Sequence, residues 1–347
     1  MAQLLFDSNR RGLKGLFRKL RSPDLSPTSD SPSGPSSPRT SSIVSRTGSS
    51  SSLASIGIST KSYGKKIDTI GHGVSAKVEL YHHKQTNMLY AIKTFNPKES
   101  YETRDEYKAR CSHEFNVVYG LNHVNVLKMY DFIPGFHTIQ IVMEFAPYSL
   151  LKVIQMVKPS EEEITCFFRQ VCEGVLFLHK NNVAHRDLKM ENIVVDETAT
   201  LKLIDFGTAF YFGKEKKLAT GNVGTEALVS PEALSSIRYD AEANDVWGLA
   251  VLLYSMLNLS FPWKVARESD PEFKAFLLDK DILKDKYPES LWDATTNVLE
   301  VDPTKRLTMT QLQTVMGQKT PRHTECGVKI HQRTIRICMK KVQDVCL

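Results

Sequence analysis

No run of apolar residues approaches the ~20 needed to cross a bilayer as a helix, so a membrane-spanning chain is not expected. The first residues lack the succession of charged, apolar and small-residue segments that marks a secretory leader, so secretion is not expected either. None of the six cysteines (Cys111, Cys166, Cys172, Cys326, Cys338 and Cys346) forms a C-x-x-C pair. Reduced thiols in a cytosolic or nuclear protein are therefore the expectation. Cys346 is next to last rather than fourth from the end, so the prenylation pattern is absent. Acidic residues are scarce in residues 1–64, where three aspartates stand against nine Arg and Lys. That stretch accounts for the whole formal charge of +6, and the near-neutral remainder does not support a nucleic-acid-binding core.

What is present is a chain of 347 residues with 41% hydrophobic content, enough for two lobes with real cores or one domain plus tails. Residues 22–60 are mostly Ser, Pro, Thr and Gly, and such a stretch buries too little apolar surface to offset its ordering entropy. Four Ser-Pro pairs, beginning at Ser22, Ser26, Ser31 and Ser37, fit either proline-directed phosphorylation or a plain linker. Upstream, Leu13, Leu16, Phe17 and Leu20 recur at helical spacing among Arg and Lys, a basic amphipathic pattern suited to an anionic membrane surface. Gly12 and Gly15 weaken that helix, and a docking motif or a solvated basic tail would read the same way.

The most informative stretch is His185-Arg186-Asp187-Leu188-Lys189-Met190-Glu191-Asn192, followed by Asp205-Phe206-Gly207. Asp187 can take a proton from a hydroxyl and aim the nucleophile. Lys189, two residues on, offers a cation for a phosphoryl group in flight. Asn192 and Asp205 supply hard oxygen ligands suited to magnesium. A basic turn before a buried strand is the bland alternative, but the run matches H-R-D-L-K-x-x-N at every specified position and D-F-G follows.

On these residues the chain resembles the eukaryotic protein kinase family, from about Tyr63 to about Met316. The resemblance implies an α+β, bilobal protein kinase fold, with a β-rich N-lobe carrying helix C and a helical C-lobe. It implies residues 1–62 as a disordered Ser/Pro-rich leader, a kinase domain over 63–316 (N-lobe 63–146, C-lobe 147–316), and a basic C-terminal tail over 317–347. It also implies ATP and Mg²⁺ as cofactors and protein Ser/Thr hydroxyls as acceptors.

In the small lobe, Ile70-Gly71-His72-Gly73-Val74-Ser75-Ala76-Lys77-Val78 resembles the family's glycine-rich loop, with Ala76 in place of the third glycine. Alone it reads equally as a strand-turn-strand hairpin. Ala91-Ile92-Lys93 lies in a strand-like stretch, Met88–Phe95, where a lysine would ordinarily face solvent. By resemblance its ammonium holds the α- and β-phosphates, and Glu114, on a helical run over Glu102–Leu121, is its partner, with Glu106 as a substitute. Strands are expected over Val126–Phe132 and Thr138–Phe145. Met143 then falls at the gatekeeper position, and Glu144-Phe145-Ala146 resembles the hinge that bonds adenine. The implied nucleotide-binding residues are Ile70, Gly71, Gly73, Val78, Ala91, Lys93, Glu144, Ala146 and Val194. The implied catalytic residues are Asp187, Lys189, Lys93 and Glu114, with Asn192 and Asp205 as metal ligands.

In the large lobe, Ser160-Glu161-Glu162-Glu163 is a capping box. It opens a helix with apolar residues at helical spacing from Ile164 to Leu178. Strands Ile193–Val195 and Leu201–Ile204 bracket a turn. Residues Gly224 to Glu232 align to the family's G-T-x-x-Y-x-A-P-E with two departures, Leu228 for tyrosine and Ser230 for alanine. Thr225 with Lys189 resembles the serine/threonine branch, and Glu232 is expected to pair with Arg306. Arg186, by resemblance, binds a phosphate on the activation segment, with Thr220 as acceptor; a segment ordered without phosphate is the alternative. Asp245 is expected to brace the catalytic loop. The run from Phe261-Pro262-Trp263 to Phe273, with the Ser-rich leader, resembles the fungal halotolerance and nutrient-permease regulatory kinase subfamily. A large-lobe loop with apolar anchors is the other reading of that run.

Two rivals stand beside a live protein kinase: a pseudokinase acting as a scaffold or binding module, and a small-molecule phosphotransferase of the same shape. The set Lys93, Glu114, Asp187, Asn192 and Asp205 speaks against the first, and the segment ending at Glu232, with Arg306, against the second. Expected partners are protein substrates, with no nucleic acid and with peripheral membrane contact through residues 10–21. The expected location is cytoplasmic, at the plasma-membrane periphery. His323, Cys326, His331 and Cys338 match no zinc spacing. Oligomeric state and the role of the tail are not legible.

Overall fold

The computed structural model describes residues 59–319, apart from Val74 and Phe136. The basic stretch at 10–21, the Ser-Pro sites, the cysteine and histidine cluster after Arg322, and nearly all of the leader and tail lie outside the described residues.

Five antiparallel strands form the small-lobe sheet: β1 (Lys65–His72), β2 (Ala76–His83), β3 (Met88–Phe95), β4 (Met129–Pro134) and β5 (Ile139–Glu144), in the order β1-β2-β3-β5-β4. The β2–β3 hairpin turns through Lys84–Asn87, with Asn87 at φ 58°, a left-handed conformation that asparagine tolerates. Register pairs Val78 with Lys93 and Lys93 with Ile141, and likewise Leu80 with Ala91 and Ala91 with Met143. Because side chains alternate across a strand, these residues share one face of the sheet. Lys93 is thus directed inward with apolar neighbours and is buried, contrary to the ordinary expectation for a strand lysine.

Helix α1 (Arg104–Asn116) is shorter than the expected run over Glu102–Leu121. It starts at a reciprocal cap, with the Glu106 amide donating to Thr103 Oγ1 at 3.2 Å and the Thr103 amide donating to Glu106 Oε2 at 2.8 Å. Glu106 is thereby committed to its own helix end and is not the partner of Lys93. The buried residues Tyr107, Cys111, Glu114 and Phe115 fall at i, i+4, i+7 and i+8, so one carboxylate sits within an otherwise apolar inward-facing stripe. The strand expected over Val126–Phe132 begins later, at Met129. The Leu127 amide donates to Leu203 O at 3.0 Å, and Asn125 O accepts from the Leu203 amide at 2.9 Å, so that segment bonds to the large lobe.

The chain crosses to the large lobe through β6 (Tyr148–Ser149) and α2 (Leu150–Val157). Helix α3 (Glu161–Lys180) opens with the expected box, the Glu163 amide donating to Ser160 Oγ at 3.3 Å. Strand β7 (Val183–Ala184) leads to the catalytic stretch, and β8 (Ile193–Val195) pairs with β6 and with β9 (Leu201–Leu203). Beyond Asp205, β10 (Phe210–Tyr211) pairs with β7. Strand β11 (Ala219–Thr220) pairs with β12 (Arg238–Tyr239), across the short helix α4 (Pro231–Ser235). Helix α5 (Ala241–Asn258) is buried over most of its circumference, with Trp247 fully inside, and anchors the lobe. Helices α6 (Pro271–Leu278), α7 (Glu289–Val298) and α8 (Met309–Lys319) complete it. Among the described residues no helix is long and apolar enough to cross a membrane.

Candidate active site

The two lobes meet at an apolar slot in which Ile70, Val78, Ala91, Leu127, Met143 and Ala146 of the small lobe pack with Val194 of the large one. This slot opens onto Lys93, Glu114 and Asp205, with Gly71 and the backbone stretch Glu144–Ala146 on its walls. The Gly73 amide donates to Ala76 O at 2.8 Å and closes the tip of the β1–β2 turn. Ala76 is buried in the core, where its methyl group packs with Phe95 and its neighbours.

Lys93 Nζ lies 2.6 and 2.5 Å from the two Glu114 carboxylate oxygens and 3.6 Å from Asp205 Oδ1. Burial works to lower the Lys93 pKa, but the Glu114 and Asp205 carboxylates outweigh it and hold the ammonium above its ordinary value. Burial pushes Glu114 up by more than Lys93 pulls it back. At Asp205, burial is outweighed by the surrounding positive charge taken together, with Lys93 its largest contributor, and the carboxyl is held below its ordinary value. A buried cation bounded by two carboxylates is poised to receive oxygen anions.

Asp205 is aimed into the cleft by its backbone. It adopts the left-handed conformation at φ 63°, and Phe206 behind it is fully buried against the His185 ring, centroids 5.2 Å apart. His185 Nε2 donates to Ile204 O at 3.0 Å, and its Nδ1 accepts from the Asp187 amide at 3.3 Å. The imidazole therefore fastens the catalytic stretch to the strand end that carries Asp205.

Asp187 is held from three sides. Lys189 Nζ donates to its Oδ2 at 2.7 Å and Asn192 Nδ2 to the same oxygen at 2.9 Å, while the Thr225 hydroxyl donates to Oδ1 at 2.9 Å. Lys189 also reaches Thr225 Oγ1 at 3.1 Å. With its Nδ2 spent on Asp187, the Asn192 side chain keeps its amide oxygen as a ligand, and Asp205 provides an ionised carboxylate. Two hard oxygen donors on one side of the cleft fit a small divalent cation. The close approach of Thr225 depends on Gly224, at φ 92°: a Cβ there would lie 2.4 Å from Arg186 O.

Asp245 braces this loop, as expected. Its carboxylate accepts from the His185 and Arg186 amides at 2.7 Å each and from His179 Nε2 at 2.9 Å. Arg306 meets Glu232 through two parallel bonds of 2.6 and 2.9 Å, with its guanidinium 5.0 Å from the Trp247 ring. Leu228 is buried in the large-lobe core rather than projecting like a phenol, and Trp263 Nε1 holds the neighbouring Ala227 carbonyl at 3.0 Å.

The sequence-predicted residues therefore converge on one cleft. Reasoning from sequence missed Leu127 and Ile204 in the slot, and His113, which bonds Ala209 O at 2.8 Å and ties α1 to the segment after Asp205. Leu127 and Ile204 are apolar residues in apolar surroundings and carry no signal. His113, one position before Glu114, had one in its neighbour.

A two-lobed cleft with a strand lysine paired to a helix glutamate, and an aspartate held by lysine, threonine and asparagine, is the arrangement of the protein kinase class. The sequence profile of the protein kinase domain matches residues 65–315, and the chain belongs to that family. It is 34% identical over 222 residues to the serine/threonine-protein kinase oca2 of Schizosaccharomyces pombe, covering 63% of this chain and 34% of that protein. It is also 34% identical over 225 residues to the nitrogen permease reactivator protein of Saccharomyces cerevisiae, covering 64% and 28%. A third relative, serine/threonine-protein kinase ppk8 of S. pombe, is 30% identical over 272 residues, covering 76% and 53%. The chain thus spans about a third of the length of the first two relatives and about half of the third.

Proposed function

We propose that this chain is an ATP-dependent serine/threonine protein kinase that moves the γ-phosphate of ATP to hydroxyls of protein substrates, with Mg²⁺ as the divalent cation. The observation that carries the reading is the pre-assembled pair of clusters: Lys93 with Glu114 and Asp205 on one side of the cleft, and Asp187 with Lys189, Thr225 and Asn192 on the other.

Ile70, Val78, Ala91 and Val194 sandwich the adenine, and backbone groups of Glu144 and Ala146 bond its edge. Gly71 and Gly73 let the loop backbone approach the phosphates. Lys93, oriented by Glu114, binds the α- and β-phosphates. Asn192 and Asp205 hold Mg²⁺, which when bound draws negative charge off the phosphate oxygens. Asp187 accepts the proton of the incoming hydroxyl and aims its oxygen. Lys189 sets its ammonium beside the transferring group, and Thr225 fixes both Lys189 and Asp187. The bonded Glu232–Arg306 pair supports the stretch that faces the acceptor peptide, which favours proteins over small alcohols.

The domain carrying this activity spans 63–316, in lobes of 63–146 and 147–316, with a leader over 1–62 and a tail over 317–347. The likeness to a protein named for reactivation of nitrogen permease favours transport proteins among the targets. Residues 10–21 provide peripheral contact with the cytoplasmic face of the plasma membrane, as their basic amphipathic pattern suits.

The test is label transfer from [γ-³²P]ATP and Mg²⁺ to a degenerate Ser/Thr peptide library, beside Lys93→Met. Label on peptides that vanishes with the variant supports the reading. Binding of Mg²⁺-ATP without transfer, or transfer to small alcohols only, contradicts it.

A further inference from the structure

Tyr239 lies in β12, inward of the activation segment, and is only 4% exposed. Its ring packs with Ala184, Phe212 and Ala219, which a phenylalanine would do equally well. Its hydroxyl does something more. It accepts from Arg186 Nη1 at 3.2 Å and donates to Gly221 O at 3.3 Å. Arg186 is the residue immediately before Asp187, and its backbone, at φ 65°, is pinned by Asp245. Its guanidinium also donates to carbonyls at both ends of the segment: Nε to Thr208 O at 2.7 Å and Nη1 to Thr220 O at 3.3 Å. Its planar face lies 5.5 Å from the Phe210 ring. All of these partners are uncharged. These dipoles and the ring tie the segment from Thr208 to Gly221 to the catalytic loop. The same segment is held at two further points, by Lys216 pairing with Glu242 and by His113 on Ala209 O.

We propose that Tyr239 is a positioning residue for phosphoryl transfer: its hydroxyl bridges Arg186 to Gly221 and sets the activation segment on the catalytic loop. This inference rests on the kinase reading above. Tyr239 acts through Arg186 on Asp187 and Thr225, and bonds none of the residues assigned to ATP binding. Loss of the hydroxyl should therefore lower kcat and leave the ATP KM in place. A merely structural role would lower thermal stability and disturb both constants.

The experiment compares the intact wild-type chain, Tyr239→Phe, Arg186→Gln and the double variant, with intact mass confirming that all four share one phosphorylation state before peptide phosphorylation is timed. Tyr239→Phe should fall about tenfold in kcat with ATP KM within twofold and an unchanged melting temperature. The double variant should be no worse than Arg186→Gln, because both remove one bridge. Tyr239→Phe with wild-type kcat overturns the proposal, as do losses that multiply in the double variant. A wild type that phosphorylates no protein substrate overturns the kinase reading, and this proposal with it.

Discussion

The Ser230 hydroxyl donates to Asn244 Oδ1 at 3.0 Å, and the Ser230 amide donates to the same oxygen at 3.0 Å. Both residues are buried, Ser230 completely. The hydroxyl that replaces the family's alanine is therefore satisfied by a partner 14 residues on, one helix away. Ser230→Ala removes one of two bonds to an oxygen that keeps the other, and should cost about 1 kcal/mol. Asn244→Ala strands two buried donors, and should cost roughly 2–4 kcal/mol. Urea unfolding of the two variants checks the ordering. Equal losses would contradict it.

The Arg306–Glu232 pair makes a sharper claim. Arg306 is almost wholly buried, and its guanidinium also donates to the Ala243 carbonyl at 2.9 Å and packs on Trp247. Removing the carboxylate leaves a buried cation without its counter-charge, so Glu232→Ala should cost about 3–5 kcal/mol. Arg306→Lys should not rescue the pair, because an ammonium cannot reproduce two parallel bonds and a stacked plane. Denaturation midpoints of Glu232→Ala, Arg306→Ala and Arg306→Lys measure both points.

Stability should also depend on pH in a way set by Lys93. Its folded-state pKa lies above the ordinary lysine value, so its contribution is complete below that value and is lost as the pH rises through the folded one, in the alkaline range. Glu114 runs the other way. A carboxyl raised by burial contributes most in acid and loses ground as the pH rises through its folded value. Lys93→Met removes the cation that opposes this, and Glu114 should rise further. The melting temperature of the variant should therefore fall behind that of the wild type progressively as the pH goes from acid to neutral. A gap independent of pH would mean that Glu114 finds another partner.

Much of the site was legible because its chemistry is local in sequence. Asp187, Lys189 and Asn192 sit within six residues, and the Lys93–Glu114 spacing follows from one strand, one connection and one helix. The boundaries were less legible. Thr103-x-x-Glu106 is a capping signature and could have fixed the start of α1, but the acidic run around it reads as continuous helix. Val126 looks like strand because it is apolar and β-branched, and only the large-lobe strand β9 decides that its neighbours' backbone bonds go there. Asn244 and Tyr239 were not read at all. Their polar atoms matter through contacts to Ser230 and Arg186 across distant turns, and an asparagine or tyrosine in an apolar stretch reveals nothing of its partner.

The most direct measurement is the effect of Asp187→Ala on two quantities in the same preparation: ATP affinity, by fluorescent nucleotide displacement, and the rate of γ-phosphate transfer to a Ser/Thr peptide. Asp187 lies across the cleft from the adenine slot and bonds only its own loop and Thr225. Transfer should fall by about three orders of magnitude or more while ATP affinity stays within a few-fold. Wild-type turnover in the variant would contradict Asp187 as the base, and with it the chemistry assigned to the cleft.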